Sequence, residues 1–426
     1  MKTKNLNVVN NKLQLGKYPL ESLASKYGTP LYVYDQLGIE SKMDTFEDAF
    51  RSSKFKTCLV YASKAFLAPY FCKILNDRNW YQDATSIGDI YIMLESGFDA
   101  SRIVYHGNNK KDSELEFAVK CGVGRIVVDN INELNRLIKI CQKLNQKVDT
   151  LFRVNPGIEA HTHYYIQTSL LSSKFGESIF DLDLIKKIVE VYKHNEYVSL
   201  KGFHSHIGSQ ISDEKSFVEN AKVMCEFTSN VSSLCNYPLT ELNLGGGFGI
   251  KYLENDPDVN LKHMLSSIIE TVEASSLNLE KLYIEPGRSV VGDSGLTLYT
   301  ASYVKKTYGG KNYLFVDGGM TDNIRPALYN AAYTVENASN VSGEKDLKVD
   351  VVGRCCESGD IVAKDTYIND VKENDCIVVY STGAYCYSMS SNYNSMLKPA
   401  VIFVDDDIHV VSRREELSDL MKLYEK

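Results

Sequence analysis

The stretch TCLVYASKA, residues 57–65, separates two architectures. Its first six residues, Thr57 to Ala62, read as a short apolar strand. A dinucleotide-binding fold would follow its first strand with GxGxxG, whereas this strand runs into Ser63-Lys64-Ala65. Seven further segments suit strands: 80–84, 102–105, 125–128, 148–154, 200–204, 241–244 and 282–285. Between them, 67–75, 90–95, 113–120, 131–144, 182–193, 215–234 and 262–274 carry apolar residues at the period of an amphipathic helix. Eight strands separated by helices predict an α/β fold, a closed parallel (β/α)8 barrel.

The flanks differ in character. Residues 31–34 form a short strand before the barrel. After Pro286, segments 297–305, 312–316, 347–353, 376–380 and 407–412 are rich in β-branched and aromatic residues, with Gly, Asn and Asp between them. They predict a second, mostly β domain that the N-terminal strand completes. The expected domains are a barrel over 36–284 and a β domain from 1–35 plus 285–426.

Composition narrows the function. The 426 residues are 44% apolar and 24% charged, an ordinary globular balance. Net charge is −8 and no long basic run occurs, which argues against a nucleic-acid partner. No apolar stretch approaches the roughly 20 residues that span a bilayer. The first 16 residues lack the apolar core of a signal peptide, so the expected compartment is the cytosol. The ten cysteines form no CxxC pair and read as reduced thiols, mostly buried.

Chemistry in such barrels sits at the carboxyl ends of the strands. In strand order those ends carry Lys64; Asp83, with Asp89 beyond; His106 and Asn108; Asp129; Arg153 and Asn155; His204, His206 and Ser209; the run GGGFG at 245–249; and Glu285-Pro286-Gly287-Arg288. A lone lysine at such a place more often reaches solvent. Within this ring, partial desolvation of Lys64 would favour a nucleophilic amine. The glycine run is either a tight turn or a loop whose N–H groups approach a phosphate. Glu285 is either an ion-pair partner of Arg288 or a carboxylate that holds a cofactor ring nitrogen protonated. His206 is either a core histidine or a flat ring against a cofactor face. The pairs His161-x-His163 and His204-x-His206 each set two imidazoles on one face of an extended segment, as metal sites do. Barrel metallohydrolases place such pairs typically at the first strand, however, and these follow strands five and six, so no metal is expected.

Further motifs extend the pattern: YASKA at 61–65, HGNN at 106–109, RVNPG at 153–157, SKFG at 173–176, HIGSQ at 206–210, EPGR at 285–288, DGGM at 317–320, RPALY at 325–329, CESGD at 356–360 and GAY at 383–385. In this order, over nearly the whole chain, they resemble the pyridoxal-phosphate (PLP) decarboxylases of the alanine-racemase-barrel type, and within them the diaminopimelate decarboxylase branch. The resemblance implies that Lys64 carries PLP covalently and that His206 stacks on its ring. It implies that Ser209, the backbone of Gly245, Gly246 and Gly247, and Gly287 with Arg288 cradle the phosphate, and that Glu285 meets the pyridinium. Asp83 joins the cofactor set, and Tyr385 touches cofactor and substrate. Arg288, Arg325 and Tyr329 become carboxylate contacts. Cys356 becomes the proton donor and Glu357 the binder of a distal ammonium, both reaching the other subunit's site in a homodimer. Cys355 beside them reads as a buried, inert thiol.

Four positions depart from the family's usual residues: Phe66, Asp89, Ser169 and Ala400. The implied reaction is loss of CO2 from meso-2,6-diaminopimelate. The alternatives are a PLP decarboxylase of carboxynorspermidine, ornithine or arginine, a binding module on a dead enzyme fold, and a metal-dependent barrel hydrolase. Retention of Lys64, Glu285 and Cys356 speaks against the dead enzyme.

Overall fold

The computed structural model describes residues 3–158 and 173–425. Eight parallel strands form a ring: β1 (Lys56–Ala62), β2 (Tyr81–Ala84), β3 (Ile103–Tyr105), β4 (Arg125–Val128), β5 (Val148–Asn155), β6 (Val198–His204), β7 (Glu241–Asn243) and β8 (Lys281–Ile284). Each pairs with the next, and β8 pairs with β1, so the barrel closes. Helices α1 (Pro69–Asp77), α2 (Ile87–Glu95), α3 (Asp112–Cys121), α4 (Ile131–Leu144), α5 (Leu182–Lys193), α6 (Glu214–Cys235) and α7 (Leu261–Glu273) follow β1 to β7 in turn. Local chemistry sets their ends. Asn130 caps α4 by accepting the Glu133 N–H at 3.0 Å, and Asn145 ends it in the left-handed region. At α2 the Ser86 hydroxyl accepts the Asp89 N–H, and Asp89 accepts the Ser86 N–H, both at 3.2 Å. The aspartate at 89 is thus a helix-capping residue.

Strand alternation sorts the barrel interior into layers. Toward the amino ends, Arg125 pairs Glu241 through Nε at 2.8 Å and Nη2 at 2.5 Å, and the Tyr283 hydroxyl joins Glu241 at 3.1 Å. Cys58, Val60, Val104, Val127, Leu151 and Tyr283 pack as an apolar cluster. Two residues beyond members of that cluster stand His106, Asp129, Arg153 and Glu285. Period two therefore delivers a polar layer to the carboxyl ends.

The chain falls into two compact units, Asp44–Gly249 with Val259–Gly287, and Met1–Met43 with Ile250–Asp258 and Arg288–Lys426. Against the expected boundaries, residues 285–287 stay with the barrel unit, and residues 36–43 and 250–258 gather with the β unit. Their bonds account for this: Lys42 pairs Asp293 at 3.0 Å, the Thr334 hydroxyl donates to the Tyr252 carbonyl at 3.1 Å, and Arg288 donates to the Tyr252 hydroxyl.

Within the β unit, the strand Gly295–Lys306 pairs antiparallel with Leu31–Asp35, Cys376–Tyr380 and Asn312–Val316. Leu31–Asp35, buried throughout, also pairs parallel with Ala400–Val404. The strand expected ahead of the barrel is therefore internal to the sheet. Leu31, Val33, Leu296, Leu298, Val378 and Ile402 pack in its core.

Asp322 is buried in this unit, where it accepts the Tyr299 hydroxyl, the Gly319 N–H at 3.0 Å and the Thr321 hydroxyl at 3.2 Å. Burial pushes its carboxyl up to about 7, despite those donors. The unfolded value is about 3.9. The stability that the protonated group contributes is thus complete below the unfolded value and is lost as pH rises through the folded one. The slope reaches about 1.4 kcal/mol per pH unit at most. Asp322→Asn, which mimics the protonated acid, should flatten the fall in Tm between pH 5 and 8. Equal Tm slopes in wild type and variant would show that Asp322 is already ionised across that range.

Candidate active site

The turn after β1 is anchored by Asp83, whose Oδ1 accepts the Ser63 N–H at 2.8 Å. Burial raises the Asp83 carboxyl to about 6; His106 and Lys64 pull it down, and the Glu285 charge pushes it up. Lys64, next in the turn, is exposed in the single chain. The expected desolvation is absent in the single chain, although Ser63, Ala65 and Phe66 beside it are buried. Ala62 and Ala65 flank it, and a Cβ at Gly287 would lie 2.7 Å from the Ala62 Cβ. Only glycine lets residue 287 approach so closely. Phe66 is fully buried, and its carbonyl accepts the Tyr61 hydroxyl at 3.0 Å.

Glu285, just past β8, is the hub of the polar layer. Its Oε1 accepts His106 Nε2 and Asn243 Nδ2, each at 2.8 Å, and its Oε2 accepts His204 Nε2 at 3.2 Å. Burial alone would raise this carboxyl; the imidazoles outweigh it and hold it well below the usual carboxylate range. The ligand atoms of His106, His204 and Glu285 lie within 4.8 Å of one another, a spacing open to a metal ion. Their N···O separations are those of hydrogen bonds.

The pair His204-x-His206 divides its work. His204 turns to Glu285, while His206 Nδ1 accepts the Gly246 N–H at 3.2 Å. Burial, and then the charges of Lys64 and Arg153, push His206 well below its usual value, so its ring is neutral. The other pair, His161 and His163, lies outside the described residues, as does Ser169.

The glycine loop is built for close approach. A Cβ at Gly246 would sit 2.0 Å from the Glu285 carbonyl oxygen, and one at Gly247 would sit 2.5 Å from the Gly208 carbonyl oxygen. Gly247 also holds φ of 112°. The Gly245 N–H donates to Asn243 Oδ1 at 2.9 Å and the Gly246 N–H to His206, so both are engaged internally. The half-buried Ser209 is brought alongside. Ile211 N–H donates to the Gly247 carbonyl and Gly249 N–H to the Ile211 carbonyl, both at 2.9 Å.

The β unit carries a second group. Arg288 and Arg325 are buried. The Arg288 guanidinium carbon lies 4.8 Å from the Tyr385 ring centre, and that of Arg325 lies 5.6 Å from Tyr385, 5.6 Å from Tyr329 and 5.8 Å from Tyr252. Two cations thus stand among tyrosine faces, and among the described residues Arg325 Nε has no hydrogen-bond partner. Tyr385 sits at φ of 62°, a costly conformation for a bulky residue and one that concentrates at functional sites.

The Cys356 loop is pinned at its backbone. Asp360 accepts the Met320 N–H at 2.6 Å and the Cys355 N–H at 2.7 Å, and Asn394 Oδ1 accepts the Cys356 N–H at 2.8 Å. Cys356 and Glu357 are exposed. Cys355 is half-buried rather than buried, and burial with the nearby Asp360 raises its thiol to about 11, which keeps it protonated.

Sequence reasoning gave no role to Asn243, Tyr252, Asp360 or Asn394, none to His106 beyond its place in the ring, and weighed His204 only as a metal ligand. Alternation from Glu241, Val104 and Gly202 would have aimed Asn243, His106 and His204 at the polar layer. Tyr252 lies in a segment that no motif covers.

Comparison with known proteins agrees with this geometry. Residues 37–292 match the family model "Pyridoxal-dependent decarboxylase, pyridoxal binding domain". The diaminopimelate decarboxylase of Bacillus subtilis (strain 168) is 41% identical over 418 residues, covering 96% of this chain and 94% of the relative. The crystal structure of diaminopimelate decarboxylase from M. jannaschii in complex with L-lysine superposes with a TM-score of 0.92 at 28% identity, over 99% of this chain and 98% of that one. The Helicobacter pylori enzyme, also complexed with L-lysine, gives 0.87 at 31% identity, over 95% and 98%. The chain belongs to the diaminopimelate decarboxylase family of pyridoxal-dependent decarboxylases.

Proposed function

We propose that this chain removes one α-carboxylate of meso-2,6-diaminopimelate as CO2 and yields L-lysine, the last step of lysine biosynthesis. Arg325 carries the substrate reading. A buried guanidinium whose Nε has no partner among the described residues suits a carboxylate. Diaminopimelate keeps a second carboxylate after the first departs, whereas ornithine has none to spare.

The residues fit PLP. A lysine stands at a strand end, a carboxylate is held ionised among N–H donors, and the glycine loop excludes any side chain by collision with backbone. When bound, PLP supplies an electron sink for the pair left at Cα as CO2 departs. Lys64 carries it, and Asp83 orients the turn that bears Lys64. Glu285 keeps its ring nitrogen protonated, and His206 offers a neutral flat ring. Ser209, the Gly245–Gly247 backbone, Gly287 and Arg288 hold the phosphate. Within that run the Gly247 N–H is the donor without an internal partner among the described residues. Arg288, Arg325, Tyr329 and Tyr385 bind substrate, and Glu357 pairs the distal ammonium. The Cys356 thiol delivers its proton to Cα.

Cys356 and Glu357 complete the neighbouring subunit's site in a homodimer. Their exposure in the single chain supports this reading. The enzyme works in the cytosol; no described helix is long and apolar enough to cross a membrane.

Borohydride treatment of the holoenzyme should fix a pyridoxyl group on Lys64, read by peptide mass spectrometry, and meso-diaminopimelate should be turned over to L-lysine. Label on another lysine would displace Lys64 from its role. Absence of lysine as product would displace the substrate.

A further inference from the structure

Glu285 draws three N–H donors onto one carboxylate, and two are imidazoles. His106, His204, Asn243 and Glu285 are all buried. The two rings meet edge to face, centres 4.9 Å apart at 66°. A carboxylate offers about four lone-pair sites. Three are taken here, by His106, Asn243 and His204.

The charge state of His204 follows from its surroundings. Both Nε2 atoms face a carboxylate, so both carry the proton. The other nitrogen of His204, Nδ1, is buried and has no hydrogen-bond partner among the described residues. A second proton there would create a buried, charged donor with nothing to receive it. Burial accordingly lowers His204 to about 4.

The sign of the cluster depends on this. With neutral rings its charge is that of the carboxylate, −1, and it attracts a cation. With both rings protonated its charge would be +1, and it would repel a pyridinium. Lysine or arginine in the same places would donate as well but would cancel the charge. Neutral imidazole supplies donors without cancelling it.

We propose that His106 and His204 are positioning residues for Glu285, two Nε2–H donors that hold its carboxylate anionic and oriented while leaving lone-pair capacity for the protonated ring nitrogen of PLP. The proposal rests on the reading that PLP binds here with Glu285 at that nitrogen.

The test compares PLP with its deaza analogue, which has carbon in place of the ring nitrogen but keeps the aldehyde and phosphate. Each is titrated into apoenzyme and followed by fluorescence quenching or equilibrium dialysis. The readout is the ratio of the two affinities within one protein, so a partly unfolded fraction cancels. Wild type should prefer PLP by about 10-fold or more, the scale of one charge-assisted hydrogen bond. His204→Phe and His106→Phe keep ring volume but remove both nitrogens. Each should shrink that preference by roughly 3–10-fold, as expected for loss of one donor to a charged group. His204→Gln, which restores an N–H at similar reach, should keep most of it. His106→Phe carries the test alone should His204→Phe fold poorly. If the preference survives both Phe substitutions but vanishes in Glu285→Gln, the histidines do not position Glu285, and the reading of Glu285 stands. If wild type shows no preference, Glu285 does not serve the ring nitrogen, and both readings fall.

Discussion

Lys64→Ala and Cys356→Ala homodimers should each be nearly inactive, and mixing them with full subunit exchange should restore about a quarter of wild-type activity, by the statistics of pairing isologous subunits. Lys64 lies in the barrel unit and Cys356 in the β unit, and both are exposed in the single chain. If each site draws Lys64 from one subunit and Cys356 from the other, a mixed dimer holds one doubly damaged site and one intact site. About half the dimers are mixed, and one site in two works in each. The Cys356 loop is held through backbone N–H groups by Asp360 and Asn394, so Cys356→Ala removes the thiol and spares its support. Recovery is followed as CO2 release after mild dissociation and reassociation. No recovery, with heterodimers demonstrated by mass spectrometry, would mean that Cys356 serves its own subunit or has no part in the reaction.

Arg325→Ala should lower kcat/KM for meso-diaminopimelate by about 10–150-fold, the equivalent of roughly 1.5–3 kcal/mol for a hydrogen bond to a charged group. The guanidinium is fixed before any substrate arrives. It is buried, with Tyr252, Tyr329 and Tyr385 around it at 5.6 to 5.8 Å. Little side-chain freedom remains to be lost on binding, which favours the upper part of that range. For an analogue lacking the distal carboxylate, the variant should lose much less. Equal losses for both compounds would make Arg325 a support of the tyrosine cage rather than a reader of the substrate.

Much of this protein was legible in its order of residues. All eight barrel strands and the seven helices after β1 to β7 appear where the two periods place them, with ends shifted by a few residues at most. Strand alternation also brings Asp83, Arg153 and Glu285 to one end of the barrel, because successive side chains on a strand point to opposite faces. Period, turn chemistry and helix capping act within a few residues, so the chain itself states them.

What the chain could not state was which groups meet. The exposure of Lys64, the division of His204 from His206, and the internal use of the Gly245 and Gly246 N–H groups depend on how the loops close over the strand ends. Asn243 and Glu285 are 42 residues apart, and His106 and Glu285 are 179 apart, yet each pair meets at 2.8 Å. Tyr252 joins Arg288 from a loop that no motif marks. A motif names the kind of group available; its charge, exposure and partners are set by burial and by neighbours distant in the chain, and those exist only once the barrel has closed and the sheet has packed.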